Sequence, residues 1–251
     1  VGSSRNELAP TRWRHTPDCS RSKQGLDLAE GLGTLAAMTV PSPAVRTWLL
    51  TVYGAVVLMV VVGGTTRLTS SGLSMVEWHP LMGALPPIGE DAWQESFEQY
   101  KQFPQFQAVN SWMELQDFKR IFFWEYIHRL LGRLIGLIFA LPWGYFLVRR
   151  QLQGPWIGKT AAAFILGGAQ GLLGWYMVKS GLVDVPQVSH LRLAAHLMLA
   201  LALGNYVLWL ALEWDRPRAA RWHGPTWALI GVVSLQVLWG AFMAGSRAGE
   251  L

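Results

Sequence analysis

The sequence has only one cysteine, Cys19, among its 251 residues. A single cysteine cannot form an intrachain disulfide or a metal site built from several cysteines. Charged residues are also scarce, at 15% of the chain, whereas 51% of the residues are apolar and 14 are tryptophan. The basic residues form no patch with interleaved aromatic side chains, so nucleic acid is not expected as a partner. This composition is typical of a protein that lies in a lipid bilayer.

Five apolar runs are each near the length of about 20 residues that crosses roughly 30 Å of hydrocarbon. They cover residues 47–64, 121–148, 160–178, 193–212 and 226–244. Backbone groups in a bilayer must hydrogen-bond within their own segment, so each run is predicted to be a helix. The sequence therefore predicts an all-α integral membrane protein with five spanning helices. A soluble all-helical core is the alternative.

Lys and Arg are distributed unevenly between the connections. Segments 1–46, 149–159 and 213–225 carry six, three and three of them, whereas loop 65–120 has four against seven acidic residues. Basic connections are retained on the cytoplasmic or matrix side, so the N-terminus is predicted inside and loop 65–120 outside. Residues 1–45 are expected to be a poorly ordered tail. They form no clean targeting segment, which favours a bacterial inner membrane over the mitochondrial inner membrane.

Loop 65–120 is far longer than an ordinary connection, so it is expected to have structure of its own. Three aromatic residues follow helical spacing across 91–103, which predicts an interfacial helix. They are Trp93, Phe97 and Tyr100. Ser111 followed by Glu114 is the pattern of a capping box, so a helix is predicted to begin there and to continue into the membrane. A cover over the helices and a gate for substrate are both open roles for this loop.

Two histidines lie inside predicted spans, where an ionisable side chain is costly and calls for a functional explanation. His128 lies about 10 Å and His196 about 8 Å below the predicted outer boundary, at roughly 1.5 Å of rise per residue. Because they share a depth, the two can be axial ligands of one haem iron. Hydrogen-bonded structural histidines are the alternative. Solvated side chains are expected for the others, which are His15, His79, His190 and His223.

Further residues share the helix faces of these histidines. Gly132 and Gly136 leave room for a flat macrocycle, or they allow close helix packing. Three arginines can pair with haem propionates, or they can extend to the membrane interface. They are Arg129, Arg133 and Arg192. Glu125 can move protons or position a reacting group in this apolar setting, or it can bind a histidine or an arginine.

A short internal repeat relates the fifth predicted helix to earlier parts of the chain. Residues 170–174 resemble 236–240, and residues 66–67 resemble 246–247. If the fifth helix repeats the first, the chain holds one four-helix bundle and the first helix of a second, pseudo-symmetric bundle. The expected divisions are a tail over 1–45, a bundle over 46–214, and a linker with one helix over 215–251.

Four blocks, in order along residues 46–251, closely resemble haem A synthase in the form found in mitochondria and many Gram-negative bacteria. They are 63–78 (GGTTRLTSSGLSMVEW), 125–133 (EYIHRLLGR), 170–182 (QGLLGWYMVKSGL) and 192–197 (RLAAHL). Relatives with a cysteine pair in the outer loop exist, and this chain is similar to the form without that pair. The resemblance implies eight helices in two pseudo-symmetric halves, each with a histidine pair for haem.

The resemblance also implies a reaction, the oxidation of the C8 methyl group of haem O to a formyl group through successive hydroxylations, which gives haem A for cytochrome oxidase. On this pattern Glu125, His128 and His196 carry the chemistry, and the two histidines hold the iron of the substrate. The resident haem b is expected in the second half, of which only one helix is present, so this chain is expected to be inactive alone.

The partners that the resemblance implies are haem O synthase and an electron donor that the sequence does not identify. A homo-oligomer is left open. Two other functions remain as alternatives: a b-type haem electron-transfer subunit and a membrane carrier of haem. Both would use the histidine pair, but a simple electron carrier would not need Glu125.

Overall fold

The computed structural model describes residues 2, 42–75, 85–181, 188–215 and 224–246. Within these residues the secondary structure is entirely helical. The helices are α1 (Pro43–Leu68), α2 (Glu90–Lys101), α3 (Leu115–Val148), α4 (Pro155–Gly181), α5 (His190–Asp215) and α6 (Gly224–Ser246), with a π-helical turn at Phe106–Asn110. Nearly all of the predicted tail lies outside the described residues, as do His15, His79 and His223.

Four helices are long and apolar enough to cross a membrane. Their apolar spans are Pro43–Leu68, Leu115–Val148, Pro155–Lys179 and His190–Trp214. The fifth predicted span lies on α6, where the described apolar stretch, Ala228–Ala244, is shorter. The predicted all-α membrane class is confirmed, and the chain is a multi-pass membrane protein.

Helices α1, α3, α4 and α5 form a four-helix bundle. α1 packs against α3 and α5, α4 packs against α5 and less extensively against α3, and α6 lies against α5. α3 and α5 are therefore diagonal partners in the bundle. A cluster of buried side chains fills one end, where α1 and α4 begin and where α3 and α5 end. This bundle cluster includes Trp48, Phe139, Phe146, Leu210 and Trp214. Lipid is as apolar as these side chains, so close packing is what holds this end together.

Helix α3 continues through Pro142. Proline has no N–H, so the carbonyl of Ile138, one turn earlier, loses its helical partner. The indole N–H of Trp48 on α1 donates to this carbonyl at 3.0 Å. The tryptophan therefore satisfies a backbone group that would be costly to leave unpaired in an apolar layer, and it joins α1 to α3.

The described part of loop 65–120 forms a cap on the start of α3. The predicted helix over 91–103 is confirmed, with bounds Glu90–Lys101. Its apolar face packs on protein: the rings of Trp93 and Phe122 meet edge to face, with centroids 5.0 Å apart. Its place at a membrane interface stays a prediction. The buried members of this cap cluster are Met75, Phe97, Tyr100, Phe118, Ile121 and Phe122.

The capping box lies three residues beyond its predicted position. Glu114, not Ser111, is the N-cap of α3, and its N–H donates to Asp117 Oδ2 at 3.3 Å. Ser111 instead follows the π-helical turn as its C-cap. The predicted continuation of this helix into the membrane is confirmed, because α3 runs unbroken from Leu115 to Val148.

Candidate haem site

His128 and His196 lie at a level of the bundle that the bundle cluster does not reach. His128 is on α3 between the bundle cluster and the cap cluster, and His196 is near the start of α5. The two imidazoles are within electrostatic range of each other. Such an interaction is expected if the two rings share a depth, and their role as a ligand pair stays a prediction.

Each of these histidine rings lies against a glycine from a neighbouring helix. A methyl group built on Gly63 of α1 would lie 3.1 Å from His128 Nε2, and one on Gly174 of α4 would lie 2.9 Å from His196 Cε1. Any side chain at these two positions would press on the ring. The four bundle helices therefore contribute two histidines and two glycines. We call the space that each glycine leaves beside a histidine ring a glycine notch. The notches were not predicted, although both glycines belong to the sequence blocks quoted above.

Helix α4 also brings an amide to His196. Gln170 Nε2 donates to the His196 carbonyl at 3.0 Å and lies 3.4 Å from His196 Nε2. Among the described residues, neither Gln170 Oε1 nor His196 Nδ1 has a hydrogen-bond partner, and both atoms are buried. Buried polar atoms are rarely left without a partner, so these two need a specific explanation. The sequence signal for Gln170 was a polar amide inside an apolar span.

Glu125 is buried, with 2% of its surface exposed, and its carboxylate accepts several hydrogen bonds. Ser74 Oγ and Met75 N donate to Oε2 at 2.7 and 2.8 Å, and Arg129 donates to Oε1. Arg129 also donates to the Met75 carbonyl at 2.9 Å. The carboxylate therefore fastens segment 71–75 to α3. Among the roles left open for Glu125, pairing with an arginine is the one that the structure contains.

The chain reaches Glu125 through a tight turn after α1. Ser71 N–H donates to the Thr66 carbonyl at 2.9 Å, and Ser70 has a φ of 54°, in the left-handed region that side chains disfavour. Gln105 of the cap holds this turn by donating to the Ser70 carbonyl at 2.9 Å. The turn directs Ser74 back over α3. Ser74 was not predicted as a site residue, although it belongs to the sequence block 63–78.

The arginines predicted near the histidines have different surroundings. Arg129 is engaged with Glu125 and the backbone, and Arg133 lies one turn further along α3, within electrostatic range of Arg129. Arg192 turns towards α4, where its guanidinium lies 3.9 Å from the Tyr176 ring centroid and donates to the Tyr176 hydroxyl at 3.0 Å. Arg129 and Arg192 would therefore have to exchange protein partners to bind a propionate.

The two glycines predicted on the His128 face differ from each other. A methyl group on Gly132 would lie 3.1 Å from the Met59 methyl of α1, so Gly132 allows α1 and α3 to approach closely. Within the described part of the chain, nothing lies within 4 Å of a methyl group placed on Gly136. Gly132 thus fits the packing interpretation, whereas Gly136 borders open space.

The described residues contain no group of three or more His, Cys, Asp or Glu side chains placed to hold a metal ion. The third described histidine, His190, is exposed and lies edge to face against Phe242 of α6, with centroids 6.4 Å apart. Two helix histidines without further ligands suit an iron whose other ligands come from a porphyrin.

These observations place the chain among the multi-pass helical membrane proteins that carry two histidines on different helices within electrostatic range of each other. Within that class, the chain belongs to the COX15-CtaA family, described as cytochrome oxidase assembly protein, whose model matches residues 46–251. The family resemblance predicted from the four sequence blocks is confirmed.

Several bacterial relatives carry the name "Heme A synthase". The chain is 52% identical to that of Caulobacter vibrioides over 213 residues, which make up 83% of this chain and 62% of the relative. It is 48% identical to that of Parvibaculum lavamentivorans over 210 residues, 82% of this chain and 61% of the relative. For Rhodospirillum centenum the identity is 43% over 230 residues, 89% and 61% of the two chains. The chain thus spans 61 or 62% of the length of these curated relatives. No solved structure matches it.

Proposed function

We propose that this chain carries the haem O-binding half of a haem A synthase, in which the C8 methyl group of haem O is oxidised to a formyl group for cytochrome oxidase. The observation that carries the proposal is the pair His128 and His196, on diagonal helices, each ring bordered by a glycine of a third or fourth helix. The relatives named for this activity support it, since the matched region includes both histidines.

The residues present fit a porphyrin between the two imidazoles. The level of the histidines lies outside both packed clusters, the notches at Gly63 and Gly174 keep side chains away from the rings, and His196 Nδ1 has no partner among the described residues. His128 and His196 would hold the iron. Arg133 and Arg192 are the proposed partners of the propionates, because guanidinium groups pair well with carboxylates.

The haem supplies the methyl group and the iron, and the protein orients them. Each of the two successive hydroxylations would replace a C–H bond by a C–O bond and take two electrons from the methyl carbon, and the hydrated aldehyde would then lose water to give the formyl group. The inserted oxygen would come from dioxygen with an electron donor, or from water with an electron acceptor, and this redox partner is proposed to be a separate component. Glu125 is proposed to act at this site by holding segment 71–75 over it, since its hydrogen bonds join that segment to α3 one turn from His128. Without this carboxylate, segment 71–75 would be held less firmly against α3.

The proposed location is the bacterial inner membrane, with the N-terminus on the cytoplasmic side and the cap on the outer side. The distribution of basic residues supports this orientation. Haem O synthase is the proposed source of the substrate, and haem b is the proposed resident cofactor. Besides His128 and His196 the described residues contain only His190, so no haem b ligands are assigned among them.

The proposal is tested by producing the protein, with whatever natural sequence flanks this chain, in a host that makes haem O and lacks its own haem A synthase. The extracted haems are then identified by mass. The expected result is the hydroxylated or formyl haem with the unaltered sequence, and haem O alone with His128→Ala or His196→Ala. His190→Ala is the matched control and should leave the product unchanged, because His190 is exposed outside the pair.

Unmodified haem O in a fully haem-loaded protein would overturn the synthase proposal and support the second candidate, a membrane carrier or electron-transfer protein for haem. One observation favours that candidate: the carboxylate of Glu125 is already occupied by hydrogen bonds that fasten segment 71–75, so its role in the structure is accounted for without a reaction.

A further inference from the structure

Helix α4 contacts His196 at two positions one turn apart, Gln170 and Gly174. The amide of Gln170 reaches both the carbonyl and the ring of His196, and the missing side chain at Gly174 leaves room for the ring. We call these two residues the α4 seat. Both lie in the apolar span Pro155–Lys179, where an unpaired amide would be costly.

At the α4 seat, one polar atom of Gln170 and one of His196 lack a hydrogen-bond partner among the described residues. A neutral imidazole has one N–H and one acceptor nitrogen. The Gln170 NH₂ group lies 3.4 Å from His196 Nε2, and the tautomer compatible with this contact has Nε2 as the acceptor and the proton on Nδ1. Among the described residues, Nδ1 has no acceptor, and Gln170 Oε1 has no donor. A buried donor and a buried acceptor on adjacent side chains are therefore both unused.

A histidine that binds iron needs a different arrangement of hydrogen bonds. A ligating histidine presents one ring nitrogen to the metal and almost always donates the N–H of the other to an oxygen, which fixes the ring and raises its basicity. Gln170 Oε1 is the unused acceptor next to His196. Rotation of the amide and of the imidazole about their own side-chain bonds would pair this oxygen with Nδ1–H and release Nε2.

We propose that Gln170 is the positioning residue for His196 as an iron ligand, and that its amide exchanges partners when haem binds. Without haem the amide nitrogen holds Nε2, and with haem the amide oxygen accepts from Nδ1–H. The exchange removes both unused buried groups at once, and Gly174 provides the space in which the ring turns. This inference rests on the proposed function, because it requires that His196 bind haem iron.

The test is a titration of the purified protein in detergent with ferric protoporphyrin IX and, separately, with haem O, followed by a redox titration. The haem assigned to the site is the one lost in His196→Ala. For Gln170→Leu, which is similar in size but cannot hydrogen-bond, the dissociation constant is expected to rise about tenfold or more, as for other partners of metal ligands. Its midpoint potential should also rise, because the imidazole loses the acceptor that makes it a stronger donor to ferric iron.

Gln170→Glu keeps an acceptor oxygen and loses the NH₂ group. It should bind haem within a few-fold of the unaltered protein, with a midpoint potential below that of the unaltered protein, and this rescue excludes a merely structural effect of position 170. Gln236→Leu is the matched control, since it makes the same change at an exposed position on another apolar helix. It should leave affinity and potential unchanged.

Gly174→Ala tests the same seat without touching the amide. Its methyl group would lie 2.9 Å from His196 Cε1, whereas among the described residues nothing lies within 4 Å of a methyl group on Gly171. The low-spin spectrum of the ferric haem should therefore change in Gly174→Ala and not in Gly171→Ala.

Unaltered affinity and potential in Gln170→Leu would overturn the role of Gln170 and leave the synthase proposal standing. A protein that binds haem through His196, responds to Gln170→Leu as expected and yet never alters haem O would support the seat and overturn the synthase proposal. Failure of the unaltered protein to bind either haem would overturn both.

Discussion

At Gly63 and Gly174, a single added methyl group would press on the ring of His128 or His196. A methyl group added to either glycine would lie closer to a histidine ring than ordinary van der Waals contact allows. Glycine inside a helix destabilises it by about 1 kcal/mol relative to alanine. An alanine would therefore favour the helix at these positions but would displace the ring, so ligand geometry and helix propensity oppose each other here.

Gly63→Ala is expected to lower haem occupancy and to alter the haem spectrum, because its methyl group would lie 3.1 Å from His128 Nε2. The measurement is the Soret absorbance per mole of protein, with helix content by circular dichroism as the check on folding. Gly64→Ala is the control, because among the described residues nothing lies within 4 Å of its methyl group. Equal loss of haem in both variants would show that close contact with His128 is not the cause.

Glu125 is a buried side chain near the site, and its carboxylate accepts several hydrogen bonds. Its carboxylate binds one side chain and one backbone N–H from segment 71–75 and the Arg129 guanidinium. Arg129 and Glu125 keep only 13% and 3% of their side-chain surface exposed. Removing one partner of a buried ion pair leaves the other charge uncompensated, which costs more than the pair itself contributes.

Glu125→Ala is expected to destabilise the protein by roughly 3–5 kcal/mol, because it leaves Arg129 buried without its carboxylate. Ser74→Ala removes one hydrogen bond to a charged group and should cost about 2 kcal/mol. Thermal unfolding in detergent and the rate of proteolysis within 65–120 measure the two effects. Glu98→Ala, on the exposed face of α2, should change neither, and an equally small effect of Glu125→Ala would refute the structural role of the carboxylate.

At the scale of the element, the cap depends on α2 and on the extension of α3 beyond the membrane span. Tyr100 is fully buried between them, its hydroxyl donates to Gln105 Oε1 at 3.0 Å, and it accepts from Asn110 Nδ2 at 2.7 Å. Burial raises the pKa of Tyr100 to about 12, the Glu125 carboxylate adds to the rise, and the hydrogen bond from Asn110 opposes it. The phenol therefore remains protonated in the folded cap at alkaline pH.

The cap is expected to lose stability as the pH rises from about 10 towards about 12. An unfolded tyrosine ionises near its ordinary pKa of 10.0, whereas the buried phenol resists ionisation, so the stabilisation is complete below pH 10 and is lost above it. The proteolysis rate of the cap between about pH 8 and 11.5 measures this loss. Tyr100→Phe cannot ionise and should flatten the profile, although it lowers stability at every pH. An identical slope in both proteins would contradict this origin.

At the scale of the whole molecule, the two ends of the bundle have different tasks. One end is packed with aromatic and aliphatic side chains, and Lys159 of α4 pairs there with Glu213 of α5 at 2.6 Å. The other end carries the two histidines, the glycine notches and the cap. The packed end can thus hold the four helices in position, and the two histidines at the other end remain available for a ligand.

The distribution of basic residues predicts which end of the bundle faces the cytoplasm. Cys19 is the only cysteine, so Cys19→Ser gives a background for single-cysteine variants. In intact cells, a membrane-impermeant maleimide is expected to label Glu98→Cys on the cap and to spare Gln153→Cys, which becomes reactive only after permeabilisation. Both positions are exposed in the structure. The reverse pattern would invert the proposed topology.

Composition and local sequence blocks were enough to predict the class of the protein, the positions of its apolar helices and its family. These properties depend on composition over windows of about 20 residues and on local blocks, so no knowledge of packing is needed. The histidine pair was also predictable, because an ionisable residue in an apolar run is conspicuous and because depth follows from helical rise. The start of α3 was misplaced because two overlapping patterns, at Ser111 and Glu114, compete as caps.

The contacts between residues distant in the sequence became visible only from the packing of the helices. Ser74 and Glu125 are 51 positions apart, and the notch at Gly63 becomes meaningful only when α1 lies against α3. The face of α2 was predicted, but its partner was not, since an apolar stripe is compatible with either lipid or protein. Long-range contacts of this kind depend on the relative positions of packed helices, which no local pattern encodes.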